Sequence, residues 1–178
     1  VVIEGFKGLT VIFTGTGKGK TSAALGSVCR AMGWGYRARV IQFIKGSMST
    51  GELGLMERLG SQLEITQVGK GFTWENDTSK YEHQKAAAYG LELAKEALKS
   101  DEFKIVVLDE ILYALKAGLV CENEIIELIE SKPEESHLVL TGRGATDRLI
   151  EKADLVTNMT LIKHPAQAGI PAQKYIDY

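Results

Sequence analysis

The chain is poor in cysteine, proline and histidine and carries no large excess of either charge. Two cysteines, Cys29 and Cys121, stand far apart in 178 residues. They make neither a disulfide framework nor a structural zinc site, and they fit a reducing compartment in which buried thiols act as small hydrophobes. His83, His137 and His164 are scattered without metal-ligand spacing and read as structural or surface residues. With only three prolines and no low-complexity stretch there is no linker, so residues 1–178 read as one domain. A net charge of −2 offers no general attraction to nucleic acid or to an anionic membrane. No apolar run approaches the roughly 20 residues of a membrane span. The opening VVIEGFKG lacks the charged and apolar regions of a signal peptide. These absences point to a cytoplasmic protein with neither nucleic acid nor membrane as partner.

What is present is a core-forming composition, 44% hydrophobic, and one dense motif near the start. Thr14-Gly15-Thr16-Gly17-Lys18-Gly19-Lys20-Thr21-Ser22 lies between an apolar run at 9–13 and a helix-like run at 23–32. Strand, glycine-rich turn and helix N-terminus make a phosphate-binding loop. The glycines let backbone N–H groups curl inward toward an anion, and the helix end adds partial positive charge. Lys20 would reach the phosphates and the Thr21 hydroxyl would ligate Mg²⁺. The usual spacing puts the first glycine at position 14, which is Thr14; Gly15 is one residue too close. The loop is thus shortened by one residue or has a substituted first glycine.

Strands are predicted at 9–13, 38–44, 63–68, 105–110, 137–141 and 154–162, and helices at 21–32, 52–59, 79–98, 122–131 and 146–152. In the longest helix Tyr81, Ala88, Leu91, Ala94 and Leu98 recur at helical spacing. The tail from 163 onward reads as irregular. The alternation implies an α/β fold of the P-loop NTPase class, a mainly parallel sheet with helices on both faces. Ligands bind such sheets beyond the carboxyl ends of the strands, where the P-loop, Lys45, Asp109-Glu110 and Arg143 all fall. Asp109 and Glu110 follow the apolar run Ile105-Val106-Val107-Leu108 as a Walker B element, able to hold Mg²⁺. Lys18 is either a second cation toward a triphosphate or a solvent-facing lysine. Arg143, between two glycines, offers a fork suited to phosphate or is a surface arginine in a turn. Phe72 and Trp74 either plug the core or wall an apolar ligand site.

The blocks TGTGKGKTSAALGSVCRAMGWGYRARVIQFIKG, GFTWEND, VVLDEILYALKAGLV, LTGRG, ADLVTNM and KHPAQAGIPAQKYIDY together resemble the ATP:corrinoid adenosyltransferases of the CobA/BtuR type. The similarity runs from Leu9 to Tyr178 and includes the shortened loop, the QFIKG strand end, the GFTW loop and the TGRG turn. It implies a RecA-like fold, a homodimer, and transfer of the 5′-deoxyadenosyl group of ATP to the cobalt of a reduced corrinoid, with triphosphate released. It also implies that ATP lies reversed in the loop, with Gly15, Thr16, Gly17, Lys18, Gly19, Lys20, Thr21, Ser22 and Arg143 around the nucleotide. Thr21 and Glu110, with Asp109, would hold Mg²⁺ or Mn²⁺. Phe72 and Trp74 match the aromatic pair that displaces the corrinoid's lower ligand, and they stand with Lys20 as the catalytic candidates. A flavoprotein would supply the electron. Thr16 and Pro171 depart from the best-known members, which have Asn and often Lys there. The rival readings are an ordinary RecA-like ATPase, a small-molecule P-loop kinase and a nucleotide-binding regulatory subunit.

Overall fold

Six short β-branched and leucine-rich segments form one sheet, and the central ones alternate their side chains between two apolar layers. In a computed structural model that describes residues 6–46, 50–71 and 79–177, the strands are β1 (Thr10–Thr14), β2 (Arg37–Gln42), β3 (Leu63–Gln67), β4 (Phe103–Asp109), β5 (His137–Thr141) and β6 (Leu155–Asn158). The order across the sheet is β3-β2-β4-β5-β1-β6, and every pairing is parallel. The helices are α1 (Lys20–Gly33), α2 (Gly51–Leu59), α3 (Lys80–Lys99), α4 (Ile111–Lys116), α5 (Glu122–Glu130) and α6 (Asp147–Lys152).

Ile41, Val106, Leu108, Leu138 and Leu140 face the layer built from α3, α4, α5 and α6. Val40, Ile105, Val107 and Val139 face the other way, onto Ala24 and Val28 of α1 and the apolar side of α2. The period of two in β4 and β5 thus splits one continuous apolar run between two cores, as a sheet covered on both faces requires.

Four expectations need correction. The buried stripe of α3 is His83, Ala87, Gly90, Leu91, Ala94, Ala97 and Leu98, not one that includes Tyr81 and Ala88; Tyr81 is 73% exposed. The true stripe contains a glycine and a histidine, which carry little hydrophobic signal. At Gly90 a side chain would meet the Phe43 ring and Val68 at 2.9 Å, so the helix comes close to the sheet only there without one. The last strand stops at Asn158, short of the expected 162, because Met159 turns its backbone to the P-loop. The residues after Glu110 form α4, which periodicity over so short a run did not reveal. Both cysteines are exposed, not buried. The histidine expectation holds: His83 is buried, while His137 and His164 accept backbone hydrogen bonds from Leu9 and Ala166. Among the described residues no helix is long and apolar enough to cross a membrane.

Candidate active site

The carboxyl ends of β2, β4, β5 and β1 are consecutive neighbours, so the groups they carry meet at one edge of the sheet. There a cavity of about 520 Å³ opens over the loop and helix start from Gly17 to Ser22. Lys18, Lys20, Thr21, Ser22, Lys45, Glu110 and Arg143 all line it. The convergence expected from the order of strand ends is therefore present.

The loop is clamped from behind. Gly15 has a φ of 102°, and a side chain there would lie 2.3 Å from Asn158 Oδ1, so the position is open to glycine alone. The Gly17 N–H donates to the Met159 carbonyl at 2.7 Å, which commits it to the residue just past β6 and removes it from the anion donors. Thr14, where a first glycine was expected, ends β1 and accepts the Ala145 N–H on its hydroxyl at 3.3 Å. That bond ties the loop to the turn that presents Arg143. Gly19 caps α1 in the left-handed region, and the first bond of the helix runs from Ala23 N–H to the Gly19 carbonyl. The N–H groups of Lys20, Thr21 and Ser22 are left for a ligand, as at any helix start.

Lys20 is 7% exposed and folds back on the loop, donating to the Gly15 carbonyl at 3.0 Å and the Gly17 carbonyl at 2.7 Å. Burial holds its pKa below the usual lysine value, assisted by Arg143 and opposed by Glu110 and Asp109. Asp109, 1% exposed, has no free edge. Its Oδ1 accepts the Thr21 and Thr141 hydroxyls, each at 2.8 Å, and its Oδ2 accepts Gln42 Nε2 at 3.3 Å. Because the Thr21 hydroxyl hydrogen goes to Asp109, the Thr21 oxygen keeps its lone pairs for a cation. Glu110 sits at φ 62° as the N-cap of α4, its N–H donating to Thr141 Oγ1 at 2.9 Å. Burial and the Asp109 carboxylate raise its pKa, against Lys20, Arg143 and Lys45. A Thr21 oxygen with a Glu110 carboxylate is a hard-oxygen pair, the kind that holds Mg²⁺ alongside phosphate and water. Among the described residues there is no cluster of three or more acidic, histidine or cysteine side chains that would form a self-sufficient metal cage.

Thr16 and Gly19 are both exposed; Gly19 lines the cavity, and Thr16 does not. Phe72 and Trp74 lie outside the described residues. The Gly71 N–H donates to the carbonyl of Ile44, the residue before Lys45, at 2.9 Å.

Several groups escaped the sequence reading. Gln42, Glu52 and Thr141 join the carboxylate network, and the chain's far end arrives at the loop. Tyr175, Ile176 and Asp177 line the cavity, and the Asp177 carboxylate pairs with Lys18. The QFIKG block pointed at Gln42, but nothing local in the tail marked Asp177 as a neighbour of the P-loop.

Comparison with known proteins fits this geometry. The sequence model of the family described as ATP:corrinoid adenosyltransferase BtuR/CobO/CobP matches residues 6–178. A corrinoid adenosyltransferase of Pseudomonas aeruginosa is 41% identical over 172 residues, covering 97% of this chain and 84% of the relative. One from Sinorhizobium is 42% identical over 174 residues, covering 97% and 81%. One from Escherichia coli is 36% identical over 173 residues, covering 97% and 86%. Among solved structures, a KaiC-like protein of Pyrococcus horikoshii superposes with a TM-score of 0.52 at 16% identity, covering 89% of this chain and 75% of that one, a likeness of fold alone.

Proposed function

From the premise that the chain belongs to the ATP:corrinoid adenosyltransferase family, we propose that it transfers the 5′-deoxyadenosyl group of ATP to the cobalt of a reduced corrinoid and releases triphosphate. The cavity over the β1–α1 loop carries this reading: cations from the P-loop and from β5 converge on a space open to a nucleotide, beside a carboxylate from β4. The family relation favours it over an ordinary ATPase or a kinase.

The electron pair on Co(I) forms the new bond to C5′ while the C5′–O bond breaks and its electrons leave with the triphosphate oxygen. The protein aligns the two partners and neutralises the leaving group. Lys18, Lys20, Arg143 and the free N–H groups of α1 serve the phosphates. Gly17 contributes shape, since its own N–H is engaged with Met159. Thr21 and Glu110 would hold Mg²⁺, which supplies further charge neutralisation, with Asp109 fixing the Thr21 hydroxyl. Phe72 and Trp74 displace the corrinoid's lower ligand and ease reduction of Co(II). The cytoplasmic enzyme works as a homodimer with a flavoprotein electron donor; the exposed β6 edge, with Leu155 and Val156 open, is consistent with a second copy.

The test is incubation with Mg·ATP and chemically reduced cobalamin. A light-sensitive alkylcobalt product with stoichiometric triphosphate is expected, and ADP without corrinoid dependence overturns the reading. Joint replacement Phe72→Ala and Trp74→Ala should cut the rate from Co(II) at least tenfold while sparing most of the rate from preformed Co(I). Equal losses in the two assays would contradict the wedge role.

A further inference from the structure

Lys45 reaches the cavity from the end of β2, three strand spacings, or about 14 Å, from the end of β1. Each P-loop ammonium has a protein partner in the ligand-free chain: Lys20 is turned onto loop carbonyls, and Lys18 is paired with Asp177. Lys45 is held differently. Its ammonium donates to Glu52 Oε1 in the first turn of α2 and stands 4.0 Å from Asp109 Oδ2. Burial works to raise the Glu52 pKa, but the hydrogen bonds from Lys45 and Gln42 prevail and hold it below the usual carboxyl value.

Gln42 is the hinge of this arrangement. It is 1% exposed, and its two amide hydrogens go to two different carboxylates, Glu52 Oε1 at 3.0 Å and Asp109 Oδ2 at 3.3 Å. Its carbonyl oxygen accepts from Gln67 Nε2 at 3.0 Å. Every polar position of the side chain is used. A buried charged and amide network of this kind is poor value for stability alone, since apolar packing does as well. Here it couples Glu52, and through it Lys45, to the carboxylate that orients Thr21.

We propose that Lys45 is a further ligand of the leaving triphosphate, on the β2 side of the cavity beside Asp109, and that Glu52 and Gln42 are positioning residues that hold its ammonium there. A polyanion then meets cations from the P-loop on one side and from β2 on the other, and Lys45, with three N–H donors, reaches phosphate while keeping its hydrogen bond to Glu52. This deepens the reading given above and rests on it, because it takes the cavity to be a triphosphate site.

The experiment is calorimetric titration of the full chain with inorganic triphosphate in Mg²⁺ buffer, comparing wild type with Lys45→Met, Lys45→Arg, Glu52→Gln and the double variant Lys45→Met/Glu52→Gln. Wild type binds. Lys45→Met weakens binding about tenfold, the scale of one charge-assisted hydrogen bond, and Lys45→Arg recovers most of the loss. Glu52→Gln weakens binding about threefold when Lys45 is present, where lost positioning outweighs relieved repulsion, and strengthens it slightly when residue 45 is Met, where only the repulsion of the carboxylate is left. Binding by Lys45→Met within twofold of wild type overturns the ligand role of Lys45 while leaving the triphosphate site standing. Equal effects of Glu52→Gln in both backgrounds overturn the positioning role. Failure of wild type itself to bind triphosphate overturns the site and this inference with it.

Discussion

At the scale of single residues, the site concentrates its cost in Glu110. The carboxyl is buried within the field of the Asp109 carboxylate, and the backbone sits in a region that residues other than glycine rarely occupy. Such strain persists where the surroundings over-determine it, as at reactive sites. Its pKa is raised in the fold, so ionising it costs stability. On this group's account stability is full below the unfolded pKa and falls as pH rises through the folded one. Glu110→Gln removes that cost, and melting of the ligand-free protein at pH 7.5 should shift up by roughly 2–4 °C, the response of a domain of this size to ~1 kcal/mol. The same variant should lose at least tenfold in adenosyl transfer. A lower melting temperature would show that the carboxylate stabilises the free fold. Asp109 and Glu110 were legible in the sequence as a pair at a strand end. Their division of labour was not, because it depends on Thr21, Thr141 and Gln42 arriving from three other elements.

At the scale of elements, β1, the loop and α1 were readable because apolar run, glycines and helix follow one another in the chain. The reading failed where a neighbour decides the outcome: α3 presents a glycine where Phe43 and Val68 press in, and β6 ends where Met159 meets Gly17. The start of β5 carries a pH-sensitive join. His137 Nδ1 accepts the Leu9 N–H at 3.0 Å, which a proton on that nitrogen would abolish. Burial and Lys132 depress the His137 pKa below its ordinary 6.5. The stability it contributes is therefore present above the unfolded pKa and is lost as pH falls through the folded one. Melting curves of wild type should fall more between pH 7.5 and pH 5 than those of His137→Gln, which keeps an acceptor without titrating. Parallel curves would remove His137 from the pH response.

At the scale of the whole molecule, residues 175–177 meet the P-loop. The segment through Tyr175 and Asp177 closes one side of the cavity, and Asp177 pairs with Lys18 in the P-loop. A carboxylate in a cavity for a polyanion opposes its ligand, so Asp177→Asn should lower the KM for ATP two- to fivefold, about the worth of a partly exposed ion pair. An unchanged or raised KM would mean that Asp177 helps hold the nucleotide. The sequence by itself determined the α/β class, the P-loop, the Walker B pair and Arg143 at a strand end, because each is written in consecutive residues with a fixed period or spacing. Only the tertiary structure decided which strand ends are neighbours, that Gly17 spends its N–H on Met159 just past β6, that Gln42 joins two carboxylates and that Asp177 reaches Lys18. Those contacts are made across the sheet between residues distant in the chain, and no local pattern encodes which partner a buried polar group will find.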